Sequence, residues 1–286
     1  MPFCTNCGSA LPDAGAKFCP TCGAPVLSAG TTSTTTSRRP EALHQTFAVT
    51  GRPKITITVR TPGSVDVQRG GAGEVLVDSE IAEAENIAYK ASQSGDAVHV
   101  TSHGKTWNPL VWGSYIFSAG PRANIRVTAP QEADLSIETI TDSITVSGIK
   151  GSISAESKTG PIYIRDSEGS LIVRTHTGNV DLNGVSALVD VRNTIGHVNF
   201  VGALSPGSNS IRTTTGDIDV ALKGEPDLLL DASTNVGRII SRMEMADARF
   251  DRGQYIGQHL TGRLGTGRGR LLLEATTGSI SIYRQA

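Results

Sequence analysis

The sequence predicts an all-β chain: a β-solenoid of stacked parallel, β-helix-like turns, preceded by a small four-cysteine knuckle and a flexible linker. Three observations predict it. A Thr-Gly phrase followed by alternating apolar residues recurs from about residue 130 onward, all four cysteines lie within the first 22 residues, and a Ser/Thr-rich stretch separates the two regions. Composition agrees, because glycine is high at 32 of 286 residues while aromatic residues make up 5%. That balance suits a turn-rich β protein over a helical bundle.

Residues 1–27 are read from the cysteines. Cys4, Cys7, Cys19 and Cys22 form C-x2-C-x11-C-x2-C, the spacing with which two tight turns grip one tetrahedral Zn²⁺. Gly8 and Gly23 follow the two pairs, and glycine lets backbone N–H groups turn toward the thiolate sulfurs. Four thiolates close the coordination shell, so the expected metal is structural Zn²⁺. A segment of about 25 residues buries too little apolar surface to fold alone, and metal binding then supplies its folding free energy. Two disulfides are the alternative. The first residues carry neither a basic n-region nor an apolar h-region, so a reducing, cytoplasmic setting is expected and zinc is favoured. From Phe3 to Val26 the segment resembles the short zinc-ribbon domain found at the N-terminus of many bacterial proteins. Asp13 and Lys17 are its only charged side chains, which fits a protein-contact module better than a phosphate-binding one.

Residues 28–42 read as a linker. The run is Ser-Ala-Gly-Thr-Thr-Ser-Thr-Thr-Thr-Ser-Arg-Arg-Pro-Glu-Ala, and without apolar surface to bury it is expected to stay disordered.

Residues 43–286 carry the repeat. It appears as Thr159-Gly160-Pro161-Ile162-Tyr163-Ile164, Thr177-Gly178-Asn179-Val180-Asp181-Leu182, Thr215-Gly216-Asp217-Ile218-Asp219-Val220 and Thr277-Gly278-Ser279-Ile280-Ser281-Ile282. Weaker copies centre on Asp142, Gly196 and Gly237, so the anchors are spaced 18, 18, 18, 20, 21 and 41 residues apart. The last interval reads as two turns, or as one turn with an insertion. Apolar residues stand two and four positions after each anchor (Ile144/Val146, Ile162/Ile164, Val180/Leu182) and seven and five before it (Leu135/Ile137, Ile153/Ala155, Leu171/Val173). Each turn is therefore two period-2 strands joined at a glycine bend. One turn cannot cover its own apolar face, so turns stack at roughly 4.8 Å around a shared core. The threonines just before the bend, Thr141, Thr159, Thr177, Thr215 and Thr277, are expected to point inward at a corner. Residues 43–129 read as an irregular extension of the same sheet system, and Glu80 to Ala91 is the only stretch with helix-compatible composition.

The repeat resembles the bacterial adhesin-type β-strand repeat family, DUF4097, over roughly Ala42 to Ala286. That resemblance implies a β-solenoid domain without assigned catalytic residues.

Outward positions supply the candidate sites. Arg174, Arg192 and Arg212 fall on successive turns after Glu138 and Glu156, where stacked arginines can hold an anion. Glu156 beside Arg174 is placed to pair across turns. Asp181, His197, Asp217 and Asp219 gather carboxylates and an imidazole on neighbouring turns, the groups a carbohydrate-active β-helix hydrolase or lyase uses in acid/base work. The plainer reading is that outward strand positions are polar and that Asn and Asp on successive turns form side-chain ladders. Trp107, Trp112, Tyr115 and Phe117 crowd one loop, read as a cap over an end of the stack, with a sticky contact loop as the alternative. Gly104-Lys105-Thr106 is not a phosphate loop, because His99 stands where that motif needs glycine.

Charge separates along the repeat. Residues 41–237 carry 15 Lys/Arg against 22 Asp/Glu, and residues 238–286 carry 8 against 4, within a chain of net charge −1. That polarity suits head-to-tail self-association, while the near-zero total argues against a bulk nucleic-acid binder. No apolar run reaches transmembrane length. The expectation is a non-enzymatic, cytoplasmic zinc-ribbon protein with a β-solenoid for protein interaction or scaffolding. The alternatives are the carbohydrate-active hydrolase and a nucleic-acid-associated factor working through the ribbon.

Overall fold

The computed structural model describes residues 40–105, 120–252 and 257–285, together with Ser9 and Thr21. The four cysteines, the linker up to residue 39 and the aromatic residues of 106–119 lie outside the described residues. The chain divides into two units, Met1–Arg39 and Pro40–Ala286, and the second is all β.

Period-2 alternation decides which way each strand faces. Before the regular repeats come β1 (Glu41–Ala48), β2 (Lys54–Val59), β3 (Val65–Arg69), β4 (Glu74–Ala82), β5 (Ile87–Ser94), β6 (Ala97–Gly104) and β7 (Arg122–Ala129). The repeats supply β8 (Asp134–Thr139), β9 (Ile144–Ser147), β10 (Lys150–Thr159), β11 (Ile162–Arg165), β12 (Glu168–Thr177), β13 (Val180–Ile195), β14 (Val198–Leu204), β15 (Ser208–Thr215) and β16 (Ile218–Lys223). The last are β17 (Leu228–Val236), β18 (Ile239–Ser241), β19 (Ala246–Arg252), β20 (Gln258–Leu264), β21 (Gly269–Thr277) and β22 (Ile280–Gln285). All are linked through their pairings into one sheet, nearly closed and barrel-like. Glu80 to Ala91 is not a helix. It ends β4, makes one 3₁₀ turn at Ala84–Asn86 and begins β5, because Ile81 and Ile87 are each pulled into the core by a neighbouring strand. Strand β1 starts at Glu41, inside the segment read as linker.

The sheet is built as two parallel ladders. In the first, β10 pairs β12 with Ala155 opposite Val173, and the same row continues through Val191, Ile211, Leu273 and Ala232. In the second, Ile144, Ile162, Val180, Val198, Ile218, Ile280 and Ile239 stand in register on successive strands. Every residue of both rows is buried. Strand β13 belongs to both ladders, its first residues pairing β11 and its later ones β12. Full burial of one such aliphatic side chain contributes roughly 1.5–3 kcal/mol, so four per turn hold each turn to its neighbours.

Sequence order and stacking order part company at both ends. The β2/β3 turn lies between the later turns β6/β7 and β8/β9. At the other end, β21/β22 inserts between β15/β16 and β17/β18. The interval of 41 residues between Gly237 and Gly278 therefore brings the chain back inside the stack. Antiparallel strands finish the ends: β4 and β1 beyond β7, β5 beyond β6, and β20 then β19 beyond β17.

The bend glycines form a close-packed column. At Gly178 and Gly216, φ is +150° and +141°, and a Cβ would lie 2.2 Å from Gly160 O and 2.0 Å from Gly196 O. Only glycine fits such an approach. Asp142 holds this position by adopting φ 74° and accepting Gly63 N–H on its carboxylate at 2.6 Å, a left-handed conformation Asp tolerates.

One corner expectation is corrected. Thr159, Thr177, Thr215 and Thr277 are exposed and Thr141 is only half-buried. The buried polar column sits two residues earlier, at Thr139, Ser157, Thr175, Asn193, Thr213 and Thr234. There Asn193 Nδ2 donates to Gly196 O at 2.9 Å and Thr234 Oγ1 to Gly278 O at 2.8 Å. Those side chains and the glycine carbonyls occupy the corner, leaving no interior room for the threonines.

Candidate functional site

The repeat register aligns the outward side chains in rows. On the first ladder one row runs Glu138, Glu156, Arg174, Arg192, Arg212 and Glu274. The three arginines do occupy successive strands, as the spacing predicts. Arg212 Nε donates to Glu274 Oε2 at 2.5 Å, and Arg192 approaches Asp190 at 3.8 Å. No ion pair joins Glu156 to Arg174 despite their register. Exposed pairs of this kind are worth ~0–1 kcal/mol. Sequence spacing places Glu274, four residues before Gly278, in this row, but it becomes the neighbour of Arg212 only because its strand is inserted beside β15.

On the second ladder Tyr163, Asp181, Asn199, Asp219 and Ser281 make one outward row. His197 Nε2 lies 3.0 Å from Asp219 Oδ2, both groups partly exposed. Asp181 Oδ1 is buried without a hydrogen-bond partner. Beside this row, carboxamides and carboxylates at the bend accept backbone N–H groups from the next turn: Asn179 Oδ1 from His197 N at 3.0 Å, and Asp217 Oδ1 from Ser279 N at 2.7 Å. Ser64 N donates to Asn124 Oδ1 in the same way at 3.2 Å. Asp181, His197, Asp217 and Asp219 thus lie together on one face, and three of the four are committed to turn-to-turn contacts. Among the described residues, no group of three or more His, Cys, Asp or Glu is arranged to hold a metal ion.

Two structural polar residues escaped sequence reading. Asn209 is buried where the column carries leucine, isoleucine or valine, accepting Val189 N at 2.9 Å and donating to Ser205 O at 3.2 Å. Asp227 accepts from Arg268 Nε at 2.5 Å, Gly267 N at 2.6 Å and Thr266 Oγ1 at 2.9 Å. The Arg268 guanidinium, aided by the Thr266 hydroxyl and two backbone N–H groups, holds its carboxyl well below the usual range. It ties down the turn that delivers the chain to β21 and borders a cavity of about 230 Å³ lined also by Leu204, Asn209 and Glu225. A local Asp-x-turn signal is absent, because the partners are 39 to 41 residues away.

Among the described residues, no helix is long and apolar enough to cross a membrane. The Toastrack DUF4097 family model matches residues 124–283, and a zinc-ribbon domain model matches residues 3–26. No curated protein matches the chain. Solved structures similar to it include a "putative cell adhesion protein" from Clostridium sporogenes, at 12% identity and a TM-score of 0.37, covering 86% of this chain and 100% of that one. A "putative adhesin" from Bacteroides fragilis is similar at 8% identity and a TM-score of 0.40, covering 86% of this chain and 97% of the other.

Proposed function

The chain belongs to the Toastrack DUF4097 family, and from that premise we propose that it is a non-enzymatic interaction protein working in the cytoplasm. Its two-ladder stack is a β-solenoid with permuted end turns, a rigid surface that presents rows of side chains at strand spacing. Cys4, Cys7, Cys19 and Cys22 hold a structural Zn²⁺, whose role is to fold the N-terminal segment into a module that recruits a protein partner. The donor chemistry fits, since four thiolates in two C-x2-C pairs satisfy tetrahedral zinc and leave no open position.

One observation carries the reading. Three of the four candidate acid/base groups hold one turn to the next, Asp217 through Ser279 N–H and Asp219 through His197, and the unpartnered Oδ1 of the fourth, Asp181, is buried. A general acid or base needs its proton-exchanging atom free to reach a substrate, whereas a ladder of satisfied side chains stiffens a surface.

The test is a quantitative pull-down with the zinc-loaded full chain and a Cys4→Ser/Cys7→Ser variant. The variant loses the captured partner while its β unit keeps the same thermal transition. Turnover of an acidic polysaccharide by the full chain, abolished in Asp217→Ala/Asp219→Ala, would replace this reading with the hydrolase.

A further inference from the structure

Strand β19 is unlike the rest of the sheet. All seven of its residues, Ala246–Arg252, are exposed, and among the described residues it pairs only with β20, along one edge. The inner apolar row of the first ladder runs Leu273, Ala232, Leu260 and then Phe250. The first two are fully buried and Leu260 is nearly so, but Phe250 remains 43% exposed. The core therefore ends on a half-uncovered aromatic ring beside an open strand edge, the kind of edge that pairs with another chain.

The charges on this edge say which chain. Asp247, in a left-handed conformation at a break in the pairing register, is bound to Arg263 at 2.8 Å. Arg249 and Asp251 flank Phe250 and have no hydrogen-bond or ion-pair partner among the described residues. His259, opposite Asp251, is already bonded to Asp231 at 2.9 Å. Around Phe250 the segment Ala248-Arg249-Phe250-Asp251-Arg252 is self-complementary when laid against itself antiparallel. Phe250 then meets Phe250 of the second copy, and each Arg249 meets an Asp251. A shift by one residue at each strand puts Arg249 against Arg249 and Asp247 against Asp251, so the charges choose one register. An edge designed only to repel would carry like charges throughout.

We propose that β19 is a dimerisation strand, pairing antiparallel with β19 of a second copy about a two-fold axis at Phe250. This goes beyond the scaffold reading and does not depend on the zinc ribbon. The two inner rows join through the paired phenylalanine rings, and the two Arg249–Asp251 pairs lie on the opposite face. Like charges placed directly opposite destabilise a strand pair, and the two-fold axis makes every substitution act twice.

Sedimentation equilibrium of the full chain over a range of concentrations tests it. The wild type forms a monomer–dimer equilibrium. Arg249→Asp and Asp251→Arg each weaken it by at least ~10-fold, because each sets like charges opposite at two places. The double exchange Arg249→Asp/Asp251→Arg restores the dimer and also controls for folding, since both side chains are exposed. A wild type that stays monomeric overturns the proposal. So do a dimer indifferent to the single exchanges, a double exchange that does not recover it, and assembly that grows open-endedly with concentration.

Discussion

A chain ending at residue 268 fails to fold its β unit. In a stack laid down in sequence order, the last turn is a cap, and its removal uncovers one interface. Here the turn β21/β22 lies inside, with β15/β16 on one side and β17/β18 on the other. Its deletion removes the buried side chains Leu271, Leu273, Ile280 and Ile282, worth roughly 6–12 kcal/mol at 1.5–3 kcal/mol each. That is comparable to the whole stability of a domain, about 5–15 kcal/mol. It also strips backbone hydrogen bonds such as Gly216 N to Thr277 O and Gly278 N to Val236 O. The truncated chain is expected to lose its cooperative unfolding transition in circular dichroism. A transition within a few degrees of the full chain's would show that the last turn is dispensable.

Gly216→Ala is expected to be among the most damaging single substitutions. The new methyl would lie 2.0 Å from Gly196 O and 2.6 Å from its carbonyl carbon, at φ +141°. Strain at such a φ costs about 1–3 kcal/mol for a residue with a Cβ. The clash adds to it, because Gly196 N is held by Thr215 O at 2.9 Å and Gly216 N by Thr277 O at 2.9 Å. Neither glycine can retreat without opening a ladder, and Gly196 O is itself held by Asn193 Nδ2 at 2.9 Å. A loss of at least ~3 kcal/mol is expected in urea unfolding, while Thr215→Ala, at the exposed neighbouring position, stays within about 0.5 kcal/mol. Equal effects at the two positions would remove the glycine column from the account.

Much of this architecture is legible in the sequence. The apolar positions before and after each anchor are the buried rows of the two ladders, and an 18-residue step takes Ile162 to Val180 in register. Such a pattern reports that turns are interchangeable, and for that reason it cannot report their order. Every turn offers the same apolar strands and the same glycine bend, so β22 fits beside β16 as well as β18 would. The corner threonines mislead for a local reason: strand alternation predicts them inward, but polar side chains two residues earlier and the glycine carbonyls, as in Asn193 to Gly196 O and Thr234 to Gly278 O, fill the corner. The candidate face is legible as a set of rows, with Asp181, His197 and Asp219 on neighbouring turns. Its chemistry is not, because Ser279, which occupies Asp217, and Glu274, which occupies Arg212, arrive on the inserted turn.

The permuted order is the claim on which the rest depends, and pairwise cysteine cross-linking in the full chain tests it most directly. Asp219, Ser281 and Ile240 stand in one outward row, with Ser281 in register with both others. Adjacent strands are roughly 4.8 Å apart, so strands separated by one more lie about 9.6 Å apart, past the ~7 Å reach of a disulfide. Asp219→Cys/Ser281→Cys and Ile240→Cys/Ser281→Cys are expected to yield linked peptides under mild oxidation, identified by mass spectrometry, and Asp219→Cys/Ile240→Cys none. A link between positions 219 and 240, with none from either to 281, would mean that the turns stack in the order in which they are written.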